Sequence, residues 1–206
     1  MKLIGINGGT FDPIHYGHLR PALEVQQHLG LDRVLFVPCY QPVHRALPQV
    51  SAEQRCAMIE LAIENQPTFA LEKIEIERGG PSYMVDTLDS LKQREPEACL
   101  VLMMGTDTFS QFHRWQNWQG ILKLANLAIM HRPGEVLPSE GDVGKIYQSH
   151  QVAQLTQASG QIVDMAVTQL EISSTMVRQQ IKDGHTADYL LPSNVMEFIQ
   201  KHGLYQ

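Results

Sequence analysis

The strongest constraint on the fold is an uninterrupted apolar segment near the middle of the chain. Residues Cys99 to Gly105 read CLVLMMG and contain no charged side chain. A strand with one face in water alternates apolar and polar residues, whereas a strand covered on both faces does not. Strands of the second kind occur mainly in parallel sheets with helices packed on both sides. The segment therefore predicts a buried strand of an α/β protein.

The rest of the chain alternates strand-like and helix-like segments. Strands are predicted at 2–6, 33–37, 126–130 and 161–167, and helices at about 17–29, 51–64, 173–183 and 193–203. Ser51 and Gln54 form a capping box, and Gly30 can end the first helix in the left-handed conformation. Right-handed crossovers place helices on both sides of such a sheet. We therefore predict a Rossmann-like, doubly wound parallel sheet with helices on both faces, with ligands beyond the carboxyl ends of its strands.

Other stretches are less regular. Residues 69–77 alternate apolar and polar side chains, which predicts one strand or two short strands. Ser82 is expected to cap a helix that continues through Leu91. Prolines in the segment 38–50 argue against regular structure there, and the polar, Gln-rich segment 135–160 gives no prediction.

Composition and charge narrow the possible functions. Of the 206 residues, 43% are hydrophobic, as is typical of a folded globular protein. The formal net charge is -6, from 16 basic and 22 acidic residues, which disfavours binding to nucleic acid phosphates. A local cluster of donors can still bind a small anion. We therefore expect no nucleic acid partner.

The sequence carries no recognisable export or membrane signal. The first apolar run passes quickly into a Gly-rich loop, unlike a signal peptide. No stretch approaches the roughly 20 apolar residues of a membrane span. Cys39, Cys56 and Cys99 are widely spaced and match no zinc or CxxC pattern. We expect a reduced, cytoplasmic protein without a membrane partner.

The first predicted strand leads into the motif GGTFDPIHYGH, from Gly8 to His18. Its two glycines let backbone N–H groups approach a phosphate closely, and Thr10 adds a hydroxyl donor. His15 and His18 lie three residues apart at the start of a predicted helix, whose N-terminus favours an anion. The motif predicts a phosphate site whose donors stabilise charge that develops in a transition state.

Simpler interpretations of these residues remain open at this point. A Gly-Gly pair after a strand is often only a turn, and a His-x-x-His pair can ligate a metal. No Cys, Asp or Glu with zinc-ligand spacing stands beside the histidines, and the loop matches neither the Rossmann nor the Walker glycine pattern. The eleven residues of this motif, taken together at one strand-to-helix turn, favour a functional loop over a purely structural turn.

A second candidate loop, ISSTMVR, runs from Ile172 to Arg178 and also stands where a predicted helix begins. Its hydroxyls and helix N-terminal N–H groups can bind an anion, and Arg178 lies one turn into the helix. On its own, the segment is better explained by an ordinary serine cap and a surface arginine. Together with the first motif, it predicts the second half of one phosphate site.

The first motif resembles the T-x-x-H-x-G-H motif of the HIGH-type nucleotidyltransferase superfamily, and in its full length that of the bacterial nicotinate-nucleotide adenylyltransferases. ISSTMVR is similar to the ISSTxxR motif of that family. The resemblance implies AMP transfer from ATP to nicotinate mononucleotide, giving deamido-NAD and pyrophosphate in NAD biosynthesis, with Mg²⁺ carried by ATP. It implies catalysis by His15, His18 and Thr10. The implied ATP-binding residues are Gly8, Gly9, Thr10, Phe11, His15, His18, Ser173, Ser174, Thr175 and Arg178.

Further segments are similar to the acceptor-binding parts of the family. They are the loop VPCYQPVHR (37–45), PSY (81–83), MGTD (104–107) with Trp115, and HRPG (131–134). The implied acceptor-binding residues are Cys39, His44, Arg45, Met84, Asp107, Trp115 and Arg132. Cys39 replaces the usual Asn of the family, and Met84 replaces a common Thr. A core position for Trp115 and a helix-cap role for Asp107 are equally open.

The resemblance covers most of the chain except 135–160. It implies one nucleotidyltransferase domain over 1–206, whose helical part, about 170–206, carries the second motif. The implied partners are ATP and nicotinate mononucleotide, bound by a monomer or homodimer. Nicotinamide mononucleotide or phosphopantetheine as acceptor, and an inactive nucleotide-binding sensor, remain alternatives.

Overall fold

Six parallel strands form one sheet in the order β3-β2-β1-β4-β5-β6. We describe the fold from a computed structural model that covers residues 2–43, 46–135 and 137–206. The strands are β1 (Leu3–Gly9), β2 (Arg33–Pro38), β3 (Phe69–Leu71), β4 (Cys99–Gly105), β5 (Ala125–His131) and β6 (Ile162–Ala166). The order reverses between β1 and β4, so a crevice is expected at their carboxyl ends. The predicted doubly wound parallel sheet is confirmed.

Helices cover both faces of this sheet. They are α1 (Tyr16–Leu29), α2 (Ala52–Ile63), α3 (Ile74–Arg78), α4 (Met84–Arg94), α5 (Thr106–Phe109), α6 (Trp118–Leu124), α7 (Gly141–His150), α8 (Ser174–Lys182) and α9 (Ser193–Lys201), with a 3₁₀ turn at Phe112–Arg114. One apolar cluster packs α1, α2, α8 and α9 against the sheet, and a second packs α4, α6 and α7 against the other face. Among the described residues, no helix combines the length and apolarity needed to cross a membrane.

The apolar segment CLVLMMG is β4, next to β1 in the sheet. Its side chains alternate between the two apolar clusters. Cys99, Val101 and Met103 belong to the first cluster, whereas Leu100, Leu102 and Met104 belong to the second. Successive strand residues point to opposite faces, so a strand with helices on both sides has no position for a polar side chain. The prediction of burial on both faces is confirmed.

Two predicted helix boundaries are confirmed in detail. At the start of α2, the Gln54 N–H donates to Ser51 Oγ at 3.2 Å, and the Ser51 N–H donates to Gln54 Oε1 at 3.0 Å. This is the reciprocal capping box. At the end of α1, Gly30 has φ 62°, a left-handed conformation that glycine adopts without steric cost.

Other secondary-structure predictions were wrong. The segment 69–77 forms only the short strand β3 before α3 begins, because backbone bonds of one helical turn close there, such as Glu77 N–H to the Lys73 carbonyl. An alternating pattern over five residues does not separate a strand from one helical turn. Ser82 does not cap α4. The helix begins at Met84 with Tyr83 as its N-cap residue, and the Ser82 hydroxyl instead accepts from the Tyr40 N–H at 2.9 Å.

Candidate active site

A cleft of about 1040 Å³ opens at the carboxyl ends of β1, β4 and β5, where the strand order reverses. Many of the candidate residues line it: Gly8, Gly9, Thr10, Phe11, His15, His18, Met84, Asp107, Trp115, Arg132, Ser173, Ser174, Thr175 and Arg178. Cys39 is not among the lining residues, and His44 and Arg45 lie outside the described residues. The fold thus brings both sequence motifs and much of the expected acceptor side to one cavity.

The two histidines of the phosphate loop, as we call Gly8–His18, stack on each other. Their ring centroids are 3.7 Å apart with an interplanar angle of 27°. His15 is the N-cap residue of α1, and its backbone N–H donates to His18 Nδ1 at 3.3 Å. A nitrogen that accepts carries no proton, so this bond assigns the proton of a neutral His18 ring to Nε2. The Phe11 ring meets His18 edge-on at 5.0 Å and fixes the orientation of the pair.

His15 is almost fully buried in the wall of the cleft. It is 4% exposed, and its Nδ1 finds no hydrogen-bond partner among the described residues. Burial lowers the pKa of the His15 imidazole to about 4, because desolvation disfavours the charged form. The His15 ring is therefore neutral at pH 7 in this structure, so it is available as a hydrogen-bonding group rather than as a cation.

The second motif packs directly on the phosphate loop. Ser174 Oγ donates to the Pro13 carbonyl at 2.9 Å, and Arg178 Nη1 donates to the Asp12 carbonyl at 2.6 Å. Ser173 caps α8 by accepting from the Met176 N–H at 3.1 Å. The N-terminus of α8 is thereby held against the cleft, where its free N–H groups favour an anion.

Gly17 permits this close packing. An added Cβ would lie 2.9 Å from His15 Nδ1 and 3.1 Å from the Ile172 carbonyl oxygen. Real Cβ atoms essentially never come as close as the contact with His15, and the contact with the Ile172 oxygen is tighter than most, so a larger residue would require the His15 ring and the second motif to shift. The glycine of the histidine motif is thus explained by packing between the two loops.

Sequence reasoning missed the role of Asp12, a residue of the phosphate loop that is 4% exposed. Its Oδ1 accepts from the Tyr205 hydroxyl at 2.7 Å, and its Oδ2 accepts from the Gln49 N–H at 2.8 Å. Arg178 Nη1 lies 3.8 Å from Oδ2. Burial, followed by the negative charge of Asp12, raises the pKa of Tyr205 far above its usual value. The carboxylate joins the loop, α8 and the C-terminal end, and nothing in the local sequence pattern signals those distant partners.

The expected acceptor residues lie across the cleft, at the ends of β4 and β5. Asp107 folds back over Gly105, since its Oδ1 would be 2.7 Å from a Cβ placed there. Trp115 is half-buried and packs against Phe112 with ring centroids 5.8 Å apart. It therefore both belongs to the edge of the second apolar cluster and lines the cleft. Packing against the core is thus observed for Trp115, whereas its acceptor-binding role stays a prediction.

Glu135 is a second residue that sequence reasoning missed. Its two carboxylate oxygens accept from Thr106 Oγ1 at 2.7 Å and from the Arg132 N–H at 2.9 Å, which ties the end of β4 to the end of β5. The Arg132 guanidinium donates to Glu171 at 2.9 Å and to Gln169 at 3.3 Å. Arg132 is thus held at the rim of the cleft by residues that precede the second motif.

Cys39 contacts the phosphate loop. Its N–H donates to the Gly9 carbonyl at 2.9 Å, and its Sγ lies 3.7 Å from Thr10 Oγ1. Cys39 therefore contacts the phosphate loop without lining the cleft, and its acceptor-binding role stays a prediction. In the described part of the chain, no group of three or more His, Cys, Asp or Glu side chains is arranged to hold a metal ion.

The model of the cytidylyltransferase-like family matches residues 6–180 of this chain. A probable nicotinate-nucleotide adenylyltransferase of Hydrogenovibrio crunogenus is 60% identical over 205 residues, covering 100% of this chain and 98% of the relative. One of Methylococcus capsulatus is 41% identical over 208 residues, covering 98% of this chain and 99% of the relative. The chain therefore belongs to the cytidylyltransferase-like family and, within it, to the nicotinate-nucleotide adenylyltransferases.

Solved structures agree on the fold. Plasmodium falciparum nicotinic acid mononucleotide adenylyltransferase complexed with NaAD superposes with a TM-score of 0.77 at 18% identity, over 100% of this chain and 98% of that chain. The same protein complexed with APC gives a TM-score of 0.76. At this identity the likeness supports the architecture alone.

Proposed function

We propose that this enzyme transfers the AMP unit of ATP to nicotinate mononucleotide, giving deamido-NAD and pyrophosphate. One observation carries the proposal beyond family membership. Hydrogen bonds from Ser174 and Arg178 join the two phosphate-binding motifs in the cleft that Asp107 and Trp115 also line. One side of the cleft thus offers hydrogen-bond donors to a triphosphate. The other side offers the aromatic ring of Trp115, on which a pyridine ring can stack.

The reaction needs positioning and charge stabilisation rather than an enzyme nucleophile. A phosphate oxygen of the acceptor attacks the α-phosphorus of ATP, the new P–O bond forms, and the bond to the β-phosphate oxygen breaks. The bonding pair of that broken bond leaves with pyrophosphate. Catalysis of this kind depends on holding both substrates in line and on balancing the charge that spreads over phosphate oxygens.

The roles that we propose are supported by the positions of the residues around the cleft. His18, with its Nε2 proton, and Thr10 donate to the α-phosphate, and neutral His15 supports them. Ser173, Ser174, Thr175 and Arg178 surround the leaving pyrophosphate at the N-terminus of α8. Trp115 stacks on the pyridine ring, and Asp107 accepts from ribose hydroxyls. Met84 and Arg132 border the acceptor.

Mg²⁺ enters with ATP as part of the substrate in this proposal. Among the cleft-lining carboxylates, Asp12 accepts bonds from Tyr205 and Gln49, and Glu135 accepts from Thr106 and Arg132. Asp107, the third carboxylate that lines the cleft, is assigned to the ribose in this proposal, so phosphate oxygens and water are the ligands proposed for the ion. We further infer one catalytic domain, active as a monomer or homodimer in the cytoplasm without nucleic acid.

The test is pyrophosphate release from ATP and Mg²⁺, with nicotinate mononucleotide and nicotinamide mononucleotide as separate acceptors. We expect faster release with the nicotinate form. Stronger release with the nicotinamide form or with phosphopantetheine would replace the acceptor and keep the reaction type. A folded protein that binds ATP and releases no pyrophosphate with any of them would favour the sensor alternative.

A further inference from the structure

Arg55, in the first turn of α2, is a buried arginine that forms no ion pair with the described residues. It is 1% exposed. The ion pairs found within 2–43, 46–135 and 137–206 include none made by Arg55. Taking a guanidinium out of water without a carboxylate is costly unless hydrogen bonds offset the loss of hydration. Both Nη atoms of Arg55 donate hydrogen bonds, whereas its buried Nε has no partner among the described residues. The two Nη bonds therefore indicate why the charge is placed there.

The guanidinium bridges two chain segments that leave the sheet side by side. Nη1 donates to the Thr10 carbonyl at 2.7 Å, and Nη2 donates to the Cys39 carbonyl at 2.7 Å. Thr10 follows β1 in the phosphate loop, and Cys39 follows the neighbouring strand β2. The planar fork of an arginine can fix two carbonyls at a set spacing, which a lysine ammonium cannot do.

The bond to Thr10 sets the direction of the next amide. In a trans peptide the carbonyl and the following N–H point in opposite directions. Because the Thr10 carbonyl points at Arg55, the Phe11 N–H points away from Arg55. Phe11 lines the cleft and has φ 50°, a left-handed conformation that costs energy for a residue with a side chain. Contacts such as that from Arg55 must therefore hold this peptide.

The hydrogen bond from Arg55 to the Cys39 carbonyl orients the chain on the side of the cleft where we propose that the acceptor binds. The next amide, Tyr40 N–H, donates to Ser82 Oγ at 2.9 Å, and the Ser82 N–H donates to the Gln41 carbonyl. Ser82 stands just before α4, whose first residue, Met84, lines the cleft. The peptide that Arg55 orients is thus the one that fastens the start of α4.

We propose that Arg55 is a positioning residue that holds the ATP side and the acceptor side of the cleft at a fixed separation and turns the Phe11 amide toward the phosphates. It touches no substrate, because it is buried behind both segments. Its kinetic consequence rests on the proposed function, whereas its effect on the two segments does not. In-line transfer is sensitive to separation, since a misplacement of about 1 Å can cost ~10²-fold in rate.

The first experiment compares Arg55→Lys and Arg55→Gln with Ile59→Val, a variant of a buried residue on the same helix. Pyrophosphate release is divided by the folded fraction measured by circular dichroism. We expect kcat per folded molecule to fall by about 10-fold to 100-fold in both Arg55 variants, with smaller changes in KM. Ile59→Val is expected to lower Tm and leave kcat near wild type. Full activity per folded molecule in Arg55→Lys would overturn the bridging role.

The second experiment needs no substrate. Hydrogen exchange is measured by mass spectrometry on peptides that contain the Cys39 and Tyr40 amides, which are both hydrogen-bonded, and on a peptide from β4 as reference. We expect faster exchange at 39–40 in Arg55→Gln, with β4 unchanged. Unchanged exchange at 39–40 would overturn the inference. If the wild type is inactive with nicotinate mononucleotide, the proposed acceptor fails, and this exchange result alone decides the role of Arg55.

Discussion

At the scale of single residues, His18 is the side chain on which the proposed chemistry depends most. Its Nδ1 accepts a hydrogen bond from the His15 N–H, so its Nε2–H can donate a hydrogen bond to a phosphate oxygen. We expect His18→Ala to lower kcat by about 100-fold or more, as loss of an oxyanion donor does.

The measurement is pyrophosphate release at saturating substrates. The matched control is His28→Ala, an exposed histidine in the last turn of the same helix, which is expected to keep full activity. Near-normal turnover in His18→Ala would remove His18 from the mechanism.

Burial of His15 gives the protein a specific pH dependence. The pKa of His15 falls from 6.5 to about 4 on folding because burial disfavours the charged ring, so below pH 6.5 the unfolded state binds more protons than the folded state. The contribution of His15 to stability is therefore largest above pH 6.5 and declines as pH falls toward 4. The total difference is about 3 kcal/mol.

Urea unfolding of the wild type and His15→Asn between pH 4 and 7 checks this linkage. The free energy of unfolding of the wild type should fall more steeply with acid than that of His15→Asn, which has no titrating ring at this position. Parallel curves for the two proteins would show that His15 titrates alike in the folded and unfolded states.

At the scale of elements, α8 connects the second motif to the first. Arg178 donates to the Asp12 carbonyl at 2.6 Å, and it lies 3.8 Å from the Asp12 carboxylate. We expect Arg178→Ala to raise KM for ATP by about 10-fold or more, since hydrogen bonds to charged groups contribute about 1.5–3 kcal/mol. The effect on kcat should be smaller, because the arginine serves ATP binding more than the reacting phosphorus.

Steady-state kinetics with ATP varied at saturating acceptor provide the measurement. Lys182→Ala, which removes an exposed cation at the end of the same helix, should leave KM for ATP unchanged. An unaltered KM in Arg178→Ala would contradict its assignment to the pyrophosphate.

The elements that sequence analysis predicted correctly are those whose signal is local. β4 shows its burial in seven apolar residues, and α2 shows its start in Ser51 and Gln54. Within the predicted strand segment 69–77, residues 74–77 were assigned wrongly, because they belong to α3. The buried Glu75 accepts there from Thr87 Oγ1 at 2.6 Å, a contact twelve residues away that no pattern within the segment reveals. The site follows the same rule. The two motifs were found because each is contiguous, whereas Asp12 and Arg55 act through partners from distant parts of the chain.

At the scale of the whole molecule, the sheet separates two apolar clusters. The polar residues of the cleft lie at the carboxyl ends of its strands. The helices α8 and α9 pack in the same cluster as α1 and α2, so the C-terminal part shares a core with the start of the chain. This packing explains how a motif at 172–178 meets a loop at 8–18. The cleft is therefore a product of the complete fold rather than of either loop alone.

The C-terminal end of the described chain completes the support of the phosphate loop. Tyr205 is 8% exposed, and its hydroxyl donates to Asp12 Oδ1 at 2.7 Å across 193 residues of sequence. We expect Tyr205→Phe to lower the free energy of unfolding by about 1–3 kcal/mol, because the buried carboxylate loses a donor while the ring still fills its site. Asp12 also supports Arg178, so KM for ATP should rise in the same variant.

Urea unfolding and ATP kinetics test both expectations, with Tyr189→Phe as the control. Tyr189 is 94% exposed, so loss of its hydroxyl should change the free energy of unfolding by less than about 0.5 kcal/mol. A loss of stability in Tyr205→Phe with unchanged KM would limit Tyr205 to folding and would separate Asp12 from ATP binding. A rise in KM together with the loss of stability would show that the C-terminal end, through Asp12 and Arg178, sets the geometry in which ATP is held.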